Sequence, residues 1–276
     1  MSRPTLALRA LVCMLAVPLV AAPWTPAAAQ SLWMPRDADH TVMLELLRPT
    51  WEPVDSDLLS GPLLLSGRTA LSPRLAFVGE LVYARLSGRN GLEEISSSTI
   101  GNPYLGLEAR IGEGPIFLEF GGRPPLASDD DEAFPALITG LYTDVSRFNA
   151  FAPNAVSIQT AFNVREVTPS KIAYRLRFSP MFWKPTQGGG DSELFAIYSF
   201  QIGYHGTKAR IGAGMSGNVW ITEDFENLGD RSSNQFEVHA DFLSGSIRPG
   251  LNLHVPLSYT AGLVPAVVGA NISWTR

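Results

Sequence analysis

Hydrophobic and polar positions alternate in steps of two along most of this chain. In residues 171–183, apolar side chains at every second position alternate with Arg175 and Arg177. Such alternation is typical of a β-strand with one apolar and one polar face. The pattern predicts twelve strands, at residues 40–50, 61–71, 74–86, 99–111, 115–123, 154–166, 171–183, 193–205, 208–221, 233–244, 246–259 and 263–275.

The connections between these strands alternate in length. Residues 51–60, 87–98 and 124–153 form long connections, whereas 72–73 and 112–114 are short. Outer-membrane β-barrels show this alternation because hairpins on the periplasmic side are tight and external loops are long. The pattern therefore predicts an all-β protein, a single antiparallel transmembrane β-barrel of about 12 strands, with both termini on the periplasmic side.

One stretch departs from the two-residue period. Apolar residues between Phe134 and Phe148 recur at helical spacing, and Pro135 suits the first turn of a helix. We therefore expect a short amphipathic helix at about residues 132–150, inside the third external loop. Two positions for this helix stay open: it folds inward and narrows a channel, or it caps the barrel mouth or lies on the membrane surface.

The first 29 residues have the features of a cleaved signal peptide. Arg3 and Arg9 precede an apolar stretch, and residues 27–29 are alanines suited to a cleavage site. The only cysteine, Cys13, lies inside this segment, so the mature chain of residues 30–276 has no thiol. Export followed by folding into a barrel predicts a location in the bacterial outer membrane.

Composition narrows the function classes. The formal net charge is −5 at pH 7, which argues against a nucleic-acid partner. Beyond the signal segment no apolar run approaches the roughly 18 residues that a membrane-spanning helix needs. A membrane form of this chain must therefore be a closed barrel, with the lipid bilayer as its main partner.

Aromatic residues recur near the ends of the predicted strands. This height is typical of the aromatic girdles at the two membrane interfaces. The residues at this height are Trp51, Tyr83, Trp183, Trp220 and Tyr259 at the external ends, with Phe242 and Trp274 at the periplasmic ends. For Trp51, Trp183 and Trp220 only the height is predicted, because their parity does not match the lipid-facing set of their strands.

Two segments resemble known outer-membrane proteins. Residues 267–274 resemble the terminal strand signal that the barrel-assembly machinery reads, although the chain ends in Thr275-Arg276 where an aromatic residue is usual. The stretch Ile100-Gly101-Asn102-Pro103-Tyr104-Leu105-Gly106-Leu107 resembles a strand of the phenol-degradation-pathway outer-membrane proteins. That family is thought to pass aromatic or other small hydrophobic compounds, so the resemblance implies the same class of solute here.

If the polar strand faces line the interior, charged side chains gather in the lumen. Unpaired guanidinium groups there would favour anions, whereas Arg–carboxylate pairs would fill the lumen and tie strands together. We expect the pairs, because a barrel of this size is narrow enough for long side chains to crowd its interior. The candidate lumen-lining residues are Glu45, Arg68, Arg74, Glu80, Glu108, Arg110, Glu119, Arg123, Arg165, Arg175, Arg177, Arg210, Glu237, His239, Asp241 and Arg248.

The sequence offers little for catalysis. Glu237, His239 and Asp241 share one strand face and could suggest a metal or acid–base site, but a hydrogen-bond network is the favoured interpretation. The stretch 214–218 lacks the closing glycine of a nucleophile elbow. The acidic run 129–132 is typical of a solvated helix entry. We therefore predict a protein that is not an enzyme and has no cofactor.

Three hypotheses for the function follow. The first is a narrow passive channel or transporter for small molecules. The second is a closed structural or surface-interaction barrel that uses its external loops. The third is a soluble secreted β-barrel that binds a ligand in an apolar cavity.

Overall fold

The computed structural model describes residues 38–50, 55–57, 59–90, 93–223, 231–258 and 262–276. The predicted signal peptide, Trp51 and Tyr259 lie outside these residues. The strands of the described chain are β1 (His40–Pro49), β2 (Asp55–Ser56), β3 (Gly61–Ser72), β4 (Leu75–Asn90), β5 (Glu93–Ile100), β6 (Tyr104–Ile111), β7 (Ile116–Arg123), β8 (Ala155–Val167), β9 (Ile172–Pro185), β10 (Glu193–His205), β11 (Ala209–Trp220), β12 (Ser232–Phe242), β13 (Ile247–Pro256) and β14 (Val267–Thr275).

All of these strands belong to one antiparallel sheet that closes on itself. Each strand from β6 to β14 pairs with its neighbour in sequence, β14 pairs with β1, and β1 pairs with β3. The pairing of β3 with β4, and of β4 with β6, completes the ring. Since β5 and β6 both pair along β4, they occupy one position in the wall. The described chain is thus a closed twelve-stranded barrel, and the predicted fold class is confirmed.

The fourth barrel strand differs from the prediction. A single strand at 99–111 was expected after a long connection at 87–98. Instead β4 continues to Asn90 and β5 begins at Glu93, and the chain then leaves the ladder at residues 101–103 before β6. The backbone N–H of Asn102 bonds to the carbonyl of Ala150 at 2.6 Å instead of to a neighbouring strand, and Pro103 has no N–H to donate. The interruption lets this segment contact the third loop.

The two faces of the barrel wall have opposite chemistry. Outward positions are apolar and exposed, as at Leu81, Phe178 and Leu251, while the alternate positions are buried in the interior and are often polar. A surface of this kind is stable only against lipid, because it would aggregate in water. No helix in the described part of the chain is long and apolar enough to cross a membrane.

The helix in the third loop is shorter than predicted. Helix α1 spans Phe134–Thr143, and the chain is extended at Asp144 before a single 3-10 turn at Phe148–Ala150. The apolar residues beyond Thr143 are not on helix α1, because each meets a different part of the barrel interior: Val145 is buried, and Phe148, in the 3-10 turn, packs against Phe195. The prediction of a helix at 132–150 was therefore correct only for about the first half of that range.

Candidate functional site: a loop folded into the barrel lumen

The third loop enters the barrel and packs against its inner wall. Helix α1 presents Ala136 and, at its carboxyl end, Leu141 to apolar residues of the lumen. The interior side chains that it meets are contributed by β1, β3 and β4, and they include Leu47, Leu64 and Val82. The sequence left two positions open for this helix, and in the structure the helix occupies the inward one.

Arg147, just after α1, connects the loop to two strands. Its guanidinium group donates to Glu45 on β1 at 2.7 Å and to Glu80 on β4 at 3.1 Å. It also binds Asp144 in its own loop at 2.7 Å. Glu80 in turn accepts a bond from Arg123 on β7 at 2.6 Å. All of these side chains are almost completely buried, so the network fixes the loop against the wall.

Asp144 is the acidic residue that the third loop contributes to this network. Burial by itself would raise the pKa of the Asp144 carboxyl, but the positive charge of Arg147, the electrostatic effect of His254 and the hydrogen bonds from Ser146 and Arg147 outweigh it. The result is a pKa lowered from 3.8 to about 2. Asp144 therefore stays ionised over the whole physiological range, and its bond to Arg147 persists.

Asn102 is a second anchor, at the interruption between β5 and β6. Its amide nitrogen donates to the carbonyls of Asn149 and Ala152, and its amide oxygen accepts bonds from the backbone N–H groups of Leu126 and Ala127. Four bonds from one buried side chain thus connect both ends of the loop. Gly101 is required beside it, because a Cβ there would lie 2.4 Å from the carbonyl oxygen of Ala150.

The loop also reaches the far wall. The backbone N–H of Val145 donates to Gln235 on β12 at 3.1 Å, and its carbonyl accepts from Asn218 on β11 at 2.6 Å. Asn149 donates to Ser157 on β8. Residues 144–149 therefore cross the lumen from β4, where Arg147 binds Glu80, to β11, where Asn218 binds Val145, and form a constriction near its outer end.

An aromatic cluster borders this constriction. Phe195 lies 5.0 Å from Phe148 of the loop and 5.2 Å from Trp220, measured between ring centroids, and Trp183 meets Phe195 edge-on. These rings pack with the buried Met181 and Ile197. Trp183 and Trp220 were expected at the height of an interfacial girdle, with no prediction of their face. In the structure they are on the inward face of β9 and β11.

Below the constriction, the interior carries a band of ion pairs. Glu108 accepts from Arg68 at 3.1 Å and from Arg165 at 2.8 Å. Arg177 binds Glu119, and Arg210 binds Asp241, each at 2.5 Å. These pairs join neighbouring or next-nearest strands around the ring.

The remaining candidate residues divide into interior and turn positions. Arg175, Glu237 and His239 are buried, and Arg248 is half-buried. Arg74 and Arg110 are exposed at the short turns, where Arg74 pairs with Glu113 and Arg110 donates to the carbonyls of Glu113 and Gly114. Arg74 and Arg110 were predicted to line the lumen, but in the structure both lie at the short turns beyond it. Arg147 was missed, because the helical reading of 132–150 gave no sign that it faces the lumen.

Glu237, His239 and Asp241 take part in separate contacts. Glu237 accepts from Ser216 and from Gln235, while Nε2 of His239 lies 3.6 Å from the Asp241 carboxylate. No group of three potential metal ligands occurs among the described residues.

The fold and the occluded lumen define a class, the bacterial outer-membrane β-barrel. No family model and no curated protein matches the sequence. Among solved structures, the chain resembles an outer membrane channel from Pseudomonas putida F1, with a TM-score of 0.56 and 12% identity over 89% of this chain and 98% of that one. The NanC porin has a TM-score of 0.48 at 7% identity, covering 86% of this chain and 100% of its own. At these identities the likeness concerns the fold.

Proposed function

We propose that this protein is a narrow passive channel for small molecules in the bacterial outer membrane. The observation that carries the proposal is the third loop, which enters the lumen and is held there by Arg147 without reaching the ion-paired band below. A buried, ionic anchor of this kind sets the width of a pore, whereas a loop needed only for surface contacts has no reason to enter the barrel.

The wall of β9 and β10 supports a path past the loop. Within the described part of the chain, buried polar atoms of Ser179, Ser199 and Gln201 have no hydrogen-bond partner, and neither has Oε1 of Gln159 on the adjoining β8. Unsatisfied buried polar groups are costly unless water or a solute reaches them. This side of the lumen therefore supports a hydrated route.

The outer part of this route is aromatic, with Phe148, Phe195 and Trp220 in contact. Such a surface favours apolar rings over strongly hydrated solutes. It agrees with the solute class that the sequence resemblance implies, aromatic or other small hydrophobic compounds. We include that class in the proposal.

Planar-bilayer recording of the purified barrel tests the proposal. The fold is checked first by its migration on a denaturing gel, which should change on boiling. We expect discrete conductance steps from the folded protein. A liposome-swelling assay then compares a phenolic compound with a sugar of similar size, and the phenolic compound is expected to enter faster.

A closed structural barrel is the second candidate, and one observation favours it. Residues 144–149 contact β1, β4, β8, β11 and β12, so the loop bridges the whole lumen. A folded barrel that never conducts would support this candidate and contradict the channel.

We further propose that residues 1–29 are removed on export, that the barrel-assembly machinery inserts the chain, and that the protein is not an enzyme. N-terminal sequencing of the mature protein should begin at Gln30. Protease added to intact cells should cut within 184–192, whereas cleavage within 167–170 would contradict the orientation.

A further inference from the structure

The lipid-facing surface of β3 and β4 contains a groove of about 750 Å³. Its floor lies over Gly67 and Gly79, which face each other directly across the two strands. The outward side chains that form its walls are apolar and exposed: Val42, Leu65, Phe77, Leu81, Leu105 and Trp274. This volume is in the range of small-molecule binding sites.

The two glycines have no steric reason to be glycine. A Cβ on Gly67 would approach nothing closer than the carbonyl oxygen of Thr41, at 3.9 Å, and a Cβ on Gly79 would make only ordinary contacts from 3.4 Å. Neither residue has a positive φ. Other strand glycines differ, since a Cβ on Gly122 would lie 2.6 Å from the carbonyl oxygen of Ser157. Glycine weakens a strand, so the groove is the one structural consequence of these two residues.

One end of the groove is polar and basic. His40 and Arg276 line it and are both exposed, and the two residues exchange backbone hydrogen bonds of 2.9 Å. The imidazole of His40 also bonds to the hydroxyl of Thr69. This end lies beside the short turn after β3. Among the side chains of the described lining residues the acidic one is Glu80, which is buried and bound to Arg123 and Arg147.

A basic end followed by an apolar channel along the wall matches one ligand shape, that of a lipid with an anionic headgroup. A second groove of about 430 Å³ over Gly122 shares Phe77 and Leu105 with the first, which gives room for a second acyl chain. Arg276 and His40 supply N–H donors for a phosphate, and such charge-assisted bonds are strong.

We propose that this groove binds an anionic glycerophospholipid of the inner leaflet, with the phosphate on His40 and Arg276 and one acyl chain over Gly67 and Gly79. A second copy of the barrel fits less well. In a two-fold pair within one membrane the same surface patches meet at the same height, which would bring the basic ends of both copies together.

Native mass spectrometry of the full barrel in detergent tests the proposal, with phosphatidylglycerol and phosphatidylcholine as probes. The wild-type protein is expected to retain one phosphatidylglycerol, and Gly67→Leu should weaken that binding by about tenfold because the added side chain occupies the groove. The matched control is Ala213→Leu, which adds a similar bulk to the lipid face of β11. It should bind phosphatidylglycerol like the wild type.

The headgroup contact has its own test, since the double variant His40→Ala with Arg276→Ala leaves the groove open. It should lose the preference for phosphatidylglycerol over phosphatidylcholine. Heat-modifiable migration verifies that every variant is folded. Equal retention by wild type and Gly67→Leu would overturn the proposal, and so would a protein dimer that Gly67→Leu abolishes. No preference between the two lipids in the wild type would overturn the anionic headgroup.

Discussion

The two sides of the lumen are built differently. On the side of β1, β3 and β4, the third loop lies against the wall through apolar packing and the buried charges around Arg147. On the side of β9 and β10, the loop meets the wall through Phe148, which packs against Phe195, and inward residues such as Ser179 and Ser199 are small. One side therefore anchors the loop through buried charges, and the other is the side on which we propose the route for solute.

The sharpest test of the anchored side is Arg147→Met, which keeps much of the side-chain length but removes the charge. Glu45 and Glu80 would lose a buried partner, and breaking such a pair costs about 3–5 kcal/mol. We expect a matching loss of stability to urea in detergent, together with a larger conductance as the loop is released. The control is Arg89→Met, whose partner Glu94 is 77% exposed; it should change stability by less than about 1 kcal/mol. Equal effects would contradict the anchor.

The proposed route along β9 and β10 is tested by Ser199→Trp. Its hydroxyl is buried on the inward face of β10, so an indole there would obstruct the proposed route. We expect most of the single-channel conductance to be lost while the barrel still folds. Phe200→Trp places the same side chain on the lipid face one residue away, where Phe200 is exposed, and should conduct normally. If Ser199→Trp also conducts normally, solute passes elsewhere.

A smaller effect is expected from Arg175→Glu on the same side. Arg175 is buried at the inward face of β9, directly opposite Gln201 of β10 in the ladder. Reversing its charge should shift the reversal potential in a salt gradient toward cation preference, because the local potential becomes negative. An unchanged reversal potential in a conducting channel would place Arg175 away from the ion path.

The smallest expected effect is that of low pH on the third loop. The pKa of Asp144 is lowered in the folded loop to about 2, so its contribution to stability is complete above pH 3.8 and is lost as the pH falls toward 2. That contribution is on the order of 2 kcal/mol. Channel noise from loop motion should therefore rise between pH 4 and pH 2, and Asp144→Asn should show the same noise already at pH 7. Identical pH profiles for both proteins would contradict this role of Asp144.

The sequence predicted the barrel well because strand faces are local signals, but one loop length was wrong, since β4 and β5 extend through most of the connection expected at 87–98. Strand β10 has the predicted bounds 193–205, and β1 ends within one residue of the prediction. The interruption at residues 101–103 was not predictable, because Asn102 leaves the ladder to bind residues of the loop that lie some 25 to 50 positions away.

The site was less predictable than the fold for the same reason. Alternation identifies the buried Glu45 and Glu80 as inward residues, yet nothing near them in sequence indicates that Arg147 is their partner. Trp183 illustrates a second limit. Its position along β9 is at the height of an interfacial girdle, but the strand parity directs its side chain inward. Contacts across the lumen depend on how the loop folds, and a period of two carries no information about that.

The seam between β1 and β14 has a consequence for how the chain matures. The backbone of Thr50 donates to Ala266, a contact across 216 positions, and the ladder from Thr41–Thr275 to Pro49–Val267 joins the first strand to the last. Contacts of such high sequence separation form slowly. Until the last strand is made, the sheet keeps two unpaired edges that invite pairing with other chains. Assembly is therefore expected to be all-or-none, and truncation of β14 should yield aggregates rather than a smaller barrel.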